Sequence, residues 1–187
     1  MITFNNEDIT FVLKNKSKLK SWIVTTITKN SPRTIGSIRA SKKKVGNISF
    51  TFCSDSFLLN INKQYLNHDT HTDIITFDYS KDDARFSTPL EVTARGSKSK
   101  TTKASAPISG DIFISIDRVK ENAATFSPID SAQGDKQRKK KPNFEDELHR
   151  VMIHGVLHLL GYKDKSKIAK AEMTKQEDLC LKALKKA

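Results

Sequence analysis

Two of the five histidines, His154 and His158, stand four residues apart in the segment His154-Gly155-Val156-Leu157-His158-Leu159-Leu160-Gly161-Tyr162-Lys163-Asp164. On an α-helix that spacing stacks two side chains about 6 Å apart along the axis, so both imidazoles can converge on one ion. Gly161 can adopt a left-handed conformation that ends the helix and turns the chain back, bringing a third donor, Asp164, to the same ion. Two neutral imidazoles and one carboxylate around an open position suit a Lewis-acidic divalent metal. Zn²⁺ is favoured, and Mn²⁺ or Fe²⁺ are compatible because the carboxylate is a hard donor. We therefore expect one divalent ion per chain, able to activate water or polarise a phosphoryl oxygen. A lone HxxxH pair is usually only two partly buried polar residues; the glycine and the acid at fixed spacing after it make the metal reading the stronger one.

The spacing HxxxHxxGxxD also fits a metzincin peptidase, in which Glu follows the first histidine and serves as general base. That position here is Gly155, which has no side chain, so a peptidase would need its base from elsewhere.

The elements that must position these residues can be read from periodicity. Ile2-Thr-Phe4 alternates like a short strand, and Leu19, Trp22, Ile23, Thr26 and Ile27 recur at helical spacing. Residues 45–53 alternate as a strand, and Ser54 or Asp55 can cap a helix carrying Leu58, Ile61, Asn62 and Tyr65. Two further strands, Asp73–Tyr79 and Gly110–Ser115, flank a polar stretch. A helix through Val119, Ala123 and Phe126 follows. Asn143 can then cap a helix with Leu148, Val151, Met152, Gly155 and Leu159 on one stripe. A last helix repeats Ala169, Met173, Gln176, Leu179, Cys180 and Ala183. This order predicts an α+β fold: a small mixed sheet of about four strands with about five helices, and the metal site at the end of a helix in the C-terminal half. At 187 residues the chain is expected to form one domain, 1–187. Residues 81–109 and 127–142 lack apolar periodicity and carry runs such as Lys98–Lys103 and Arg138–Lys141, so they are expected to be flexible basic insertions.

Lysine and arginine number 33 against 21 acidic residues, a formal charge of +12 with a pI of about 9.7. A field of that sign favours a polyanion, nucleic acid first and an anionic membrane surface second, although lysine-rich chains can also be merely soluble. The basic runs, Lys42–Lys44 included, are read as phosphate contacts or as solvated loops. Cys53 and Cys180 form no CxxC or disulfide framework and are expected to be reduced and buried. The N-terminus lacks a basic segment followed by an apolar run, and no stretch approaches a membrane span, so a cytoplasmic location is expected.

The segment HGVLHLLGYKD resembles the HGxLHLxGYDH signature of the YbeY family, single-strand-specific endoribonucleases of ribosomal RNA maturation. Two more ordered blocks resemble that family: Leu66–Phe77, ending Thr72-Asp73-Ile-Ile-Thr76-Phe77 where the family has T-D-V-L-S-F, and Gly110-Asp111-Ile-Phe-Ile-Ser115 beside its GDI-x-IS strand. The resemblance implies a metal-dependent endoribonuclease that processes small-subunit rRNA ends, with ribosomal RNA and the small ribosomal subunit as partners and no membrane or DNA partner. It departs from the family in three places. Asp164 stands where the third ligand is commonly His, Lys163 where the family usually has Asp, and Leu66 where the family tends to carry an activity-linked Arg. Lys163, beside the expected metal, is the candidate to replace that cation, and Asp73 is a second catalytic candidate. Thr72, Thr76 and Asp111 are candidates to line the RNA groove, although Thr and Asp before a strand are also ordinary turn and capping residues. His68 and His71 read as loop histidines, and His149 as lying off the metal-facing side. A metzincin-like metallopeptidase and a non-catalytic RNA-binding ribosome assembly factor are the alternatives.

Overall fold

A computed structural model of the chain describes residues 1–29, 43–80, 106–125 and 143–186. Four strands form one sheet: β1 (Ile2–Asn6), β2 (Val45–Cys53), β3 (Ile74–Asp78) and β4 (Ile108–Ser115), in the order β1-β2-β4-β3. β1, β2 and β4 run parallel, with Phe50 opposite both Phe4 and Ile112, while β3 pairs antiparallel to β4 with Ile74 opposite Ile114. The five helices among the described residues are α1 (Lys16–Lys29), α2 (Asp55–Leu66), α3 (Ile116–Thr125), α4 (Phe144–Leu159) and α5 (Lys167–Lys186). The fold is α+β.

Side chains alternate across a strand, and the larger core uses one set of them. Ile48, Phe50 and Phe52 of β2 with Ile112 and Ile114 of β4 pack against α1, α4 and α5, around Ile23, Met152, Val156 and Leu181. On the opposite face Cys53, Leu58, Ile61 and Ile75 form a smaller core with Phe57, Phe77 and Phe113, covered by α2. Each large side chain removed from water in this way contributes about 1.5–3 kcal/mol before the entropy of ordering is charged against it.

α4 is the central helix, and its sequence explains why it sits where it does. Asn143 accepts from the Asp146 N–H at 2.7 Å, and Glu145, Asp146 and Glu147 load the first turn with negative charge that suits the helix dipole. Gly155 lets the helix touch the sheet: a Cβ there would lie 2.9 Å from both Ile112 Cγ2 and Ile74 Cδ1. A side chain at this position, where a metzincin carries its glutamate, would require Ile112 and Ile74 to shift.

Two sequence expectations change here. The insertion predicted over 81–109 ends earlier than its stated boundary, because Ile108 and Ser109 already belong to β4. Ile108 is buried, and Ser109 accepts the Tyr79 N–H at 3.0 Å. On α5 the buried stripe is Met173, Glu177, Cys180, Leu181 and Leu184, whereas Leu179 is 50% exposed and Ala183 faces solvent. The helix is rotated from the predicted face because Leu181 and Leu184 carry more apolar surface than Gln176 and Ala183. Phe126, the 127–142 insertion, Lys42 and the basic runs 98–103 and 138–141 lie outside the described residues.

Candidate metal centre

α4 ends at Leu159 through a cap that builds the site. Gly161 adopts φ +97°, its N–H donates to His158 O at 2.9 Å, and the Tyr162 N–H donates to Leu157 O at 3.0 Å. This is the paired closure of a Schellman motif, which a residue with a Cβ would strain at that φ. The reversal does two things for chemistry. It places the Tyr162 carbonyl 3.0 Å from His158 Nδ1, and it returns Asp164 to the helix end.

His154 Nδ1 lies 2.8 Å from Glu177 Oε1, and His158 Nδ1 faces a carbonyl that can only accept. Each Nδ1 therefore carries the proton, leaving both Nε2 lone pairs aimed inward. The two Nε2 atoms are 2.9 Å apart, and Asp164 Oδ2 is 3.7 Å from each. Neutral imidazole lone pairs facing each other at that distance repel unless a proton or a metal ion lies between them. A single ion with bonds of about 2.0–2.2 Å reaches all three donors, so the residues fit a divalent metal. Burial pulls the His154 pKa down, but the hydrogen bond and charge of Glu177, helped by Asp164 and Asp73, outweigh it and leave it raised. Burial and then the neighbouring His154 hold the His158 pKa below its ordinary value.

Glu177 is the residue that reading the sequence missed. It is 7% exposed, and its second oxygen accepts from Arg150 Nη1 at 3.0 Å while Arg150 Nη2 reaches Asp178 Oδ1 at 3.0 Å. A charged residue on the apolar stripe of α5, at the i+4 position after Met173, was the available signal. It becomes visible only once the register of that stripe is correct.

A cleft of about 640 Å³ opens beside the three donors. Thr72, Asp73 and Thr76 line it, together with Leu66, His68 and Lys165. The Thr72 hydroxyl donates to Ile74 O at 3.2 Å, while Thr76 Oγ1 is buried and has no hydrogen-bond partner. Asp73 receives the Ser115 N–H on its carbonyl and Asn122 Nδ2 on its carboxylate, and also lines a smaller cavity of about 270 Å³ on the other side of His154. Leu66, where the family tends to carry Arg, is part of the cleft wall. His71 lines it too and is tied through Nδ1 to Asp55 at 2.8 Å. His149 packs edge-on against Trp22, with centroids 6.2 Å apart, away from the metal side as expected.

Two candidates do not join the site. Asp111 pairs with Phe77 on the sheet face turned away from α4 and accepts from the Tyr79 hydroxyl at 3.1 Å, because the alternation of β4 that buries Ile112 against α4 sends Asp111 the other way. Lys163 is exposed and is not part of the cleft wall; the turn after Tyr162 brings Lys165 there instead. Both corrections come from directions that spacing along the chain does not encode.

The sheet, the Schellman-capped helix and the converging His-His-Asp donors define the chain as an α+β protein with a histidine–carboxylate cluster positioned to bind a metal. The model of the family described as Endoribonuclease YbeY matches residues 2–185, and the chain belongs to that family. The endoribonuclease YbeY of Flavobacterium psychrophilum is 40% identical over 97% of this chain and 95% of its own length. That of Cytophaga hutchinsonii is 36% identical over 96% and 93%, and that of Parabacteroides distasonis 36% over 98% and 95%. Among the described residues no helix is long and apolar enough to cross a membrane.

Proposed function

We propose that this chain is a metal-dependent endoribonuclease that cuts single-stranded RNA during small-subunit ribosomal RNA maturation, in the cytoplasm, as a single domain spanning residues 1–187. The observation that carries it is the pair of inward Nε2 lone pairs with Asp164, opening on a cleft of about 640 Å³. His154, His158 and Asp164 would hold one divalent ion, Zn²⁺ in preference. Bound there, the ion supplies Lewis acidity toward a phosphoryl oxygen.

The remaining steps belong to the chain's own residues. Lys165, on the cleft wall, offers the cation that Lys163 cannot bring. Thr76 is part of the cleft wall, and its Oγ1 is the one buried side-chain oxygen or nitrogen among the described residues without a partner. Asp73, held by Asn122 and the β4 backbone, can orient a ribose hydroxyl or take its proton. Gly155, packed against Ile112 and Ile74, supplies no side chain to serve as a peptidase base.

The test is cleavage after metal removal and readdition. Chelated protein should be inactive, regain cleavage of single-stranded RNA with Zn²⁺ or Mn²⁺, and leave duplex RNA and casein intact. Asp164→Ala should lower metal content and cleavage together. RNA binding without cleavage under any metal would instead make the chain a ribosome-assembly factor.

A further inference from the structure

β3 is an edge strand, and alternation divides its side chains between two sides of the sheet. Ile74, Thr76 and Asp78 face the α4 side and line the cleft, while Phe77 and, one residue past the strand, Tyr79 face the α2 side. On that side an aromatic strip runs along the rim. Phe77 meets Phe113 at a centroid distance of 6.0 Å and 90°, and meets Tyr65 at 5.6 Å and 76°. The Tyr79 hydroxyl donates to Asp111, which anchors its ring. Tyr65 is 61% exposed and Tyr79 42% exposed.

Single exposed aromatics are ordinary and need no explanation. These differ in three respects. Two of them share one patch, their rings are held by edge-to-face contacts and a hydrogen bond, and their immediate chain neighbours line the cleft. The residue after Tyr65, Leu66, is 43% exposed and lines the cleft, as does Asp78 beside Tyr79. A strand of nucleic acid that left the cleft across the edge strand β3 would reach this strip. Under the endoribonuclease reading the occupant of the adjoining cleft is single-stranded RNA, and an exposed tyrosine face matches the one feature every nucleobase shares, its π-face.

We propose that the Tyr65–Phe77–Tyr79 strip is a base-stacking subsite for an unpaired nucleobase of single-stranded RNA, with Tyr65 as the main platform. The proposal rests on the endoribonuclease reading of the cleft. It gives that reading a physical basis for strand preference: in a duplex each base face is covered by its neighbours, so only an unstacked base can lie on Tyr65.

Binding is measured with chelator-treated protein, so that no cleavage interferes, using a fluorescein-labelled nine-nucleotide single-stranded RNA and the same strand made abasic at successive positions. Tyr65→Ala should weaken binding about five- to hundredfold, the range of losing one base–aromatic stack. Tyr65→Phe, which keeps the ring, should stay within about twofold of the parent chain on the same grounds. On the strand abasic at the stacked position the parent chain should bind as weakly as Tyr65→Ala does on the intact strand, and the substitution should have no further effect. Tyr65→Trp should show indole quenching on adding the intact strand, against the constant background of buried Trp22. Unchanged binding in Tyr65→Ala, equal losses on intact and abasic strands, or an unquenched indole would each overturn the subsite. If the parent chain bound RNA normally in any of those cases, the endoribonuclease reading would stand; if it neither bound nor cleaved RNA, that reading would fall first.

Discussion

At the scale of single residues, the metal centre is defined as much by the partners of the imidazoles as by the donors. His158 is oriented by a backbone carbonyl that the Schellman turn supplies without a side chain, whereas His154 depends on Glu177, a buried carboxylate held by Arg150. Outer partners of this kind typically affect metal affinity by about 10–100-fold. Glu177→Ala should therefore weaken Zn²⁺ binding by about that factor, measured by competition with a chromophoric chelator, while Glu177→Gln, which keeps an acceptor oxygen for Nδ1–H, should lose less. Equal affinities in all three proteins would remove Glu177 from the site. The same pair sets a pH dependence. Metal must displace the proton that His154 Nε2 binds, and the pKa of His154 is raised from 6.5 by a balance in which burial opposes, and Glu177 overrides. Affinity should fall as pH drops through that raised value, and the midpoint should move down in Glu177→Gln because the neutral amide no longer stabilises the imidazolium. A midpoint that stays put would show that the charge of Glu177 is not felt at the metal.

At the scale of elements, β3 and β4 meet directly at the ends between which residues 81–105 run. Asp78 is opposite Gly110, the Tyr79 N–H donates to Ser109 O, and the Ser109 N–H donates to Ser80 Oγ at 3.2 Å, so the strand ends already meet. We propose that residues 81–105 are an insertion dispensable for folding. Replacing them with a four-residue glycine-containing turn should leave a cooperative thermal transition. Shortening the loop relieves about 1–2 kcal/mol of closure entropy, so the melting temperature should hold or rise. A broadened transition or a large fall would show that the segment packs on the sheet. Gly155 makes the complementary point for α4: the helix and the edge strand meet closely enough to bring the histidines and β3 to one cleft only because that residue has no Cβ.

At the scale of the whole molecule, the excess of 33 basic over 21 acidic residues acts as a field around a cleft whose own wall is mixed in charge. Affinity for single-stranded RNA should then fall steeply with salt, each phosphate contact costing a factor of about 2.6 between 50 and 200 mM. A flat dependence in a fluorescence titration would assign binding to the site residues alone. The base-stacking subsite should contribute a part that salt leaves unchanged, so Tyr65→Ala should lower affinity without altering the slope.

The sequence by itself determined the order of elements, the α+β class, the three metal donors and the turn that gathers them. Those are local matters: helical repeat places His154 above His158, Gly161 alone tolerates φ +97°, and Asp164 follows within a few residues. It also carried the family resemblance, which lies in three contiguous blocks. What only the tertiary structure decided is which side chains meet across elements. Glu177 reaches His154 because α5 is rotated to bury Leu181 and Leu184, a packing outcome that the weaker stripe through Leu179 and Ala183 obscured. Asp111 lies off the cleft because the register of β4 against β3 and α4 sends odd residues to the other face, and Lys165 rather than Lys163 lines the cleft because the chain turns after Tyr162. Periodicity reports that an element has a buried face. Which partner that face meets is set by the sum of apolar surface over all the elements at once, and that sum is evaluated only in the folded chain.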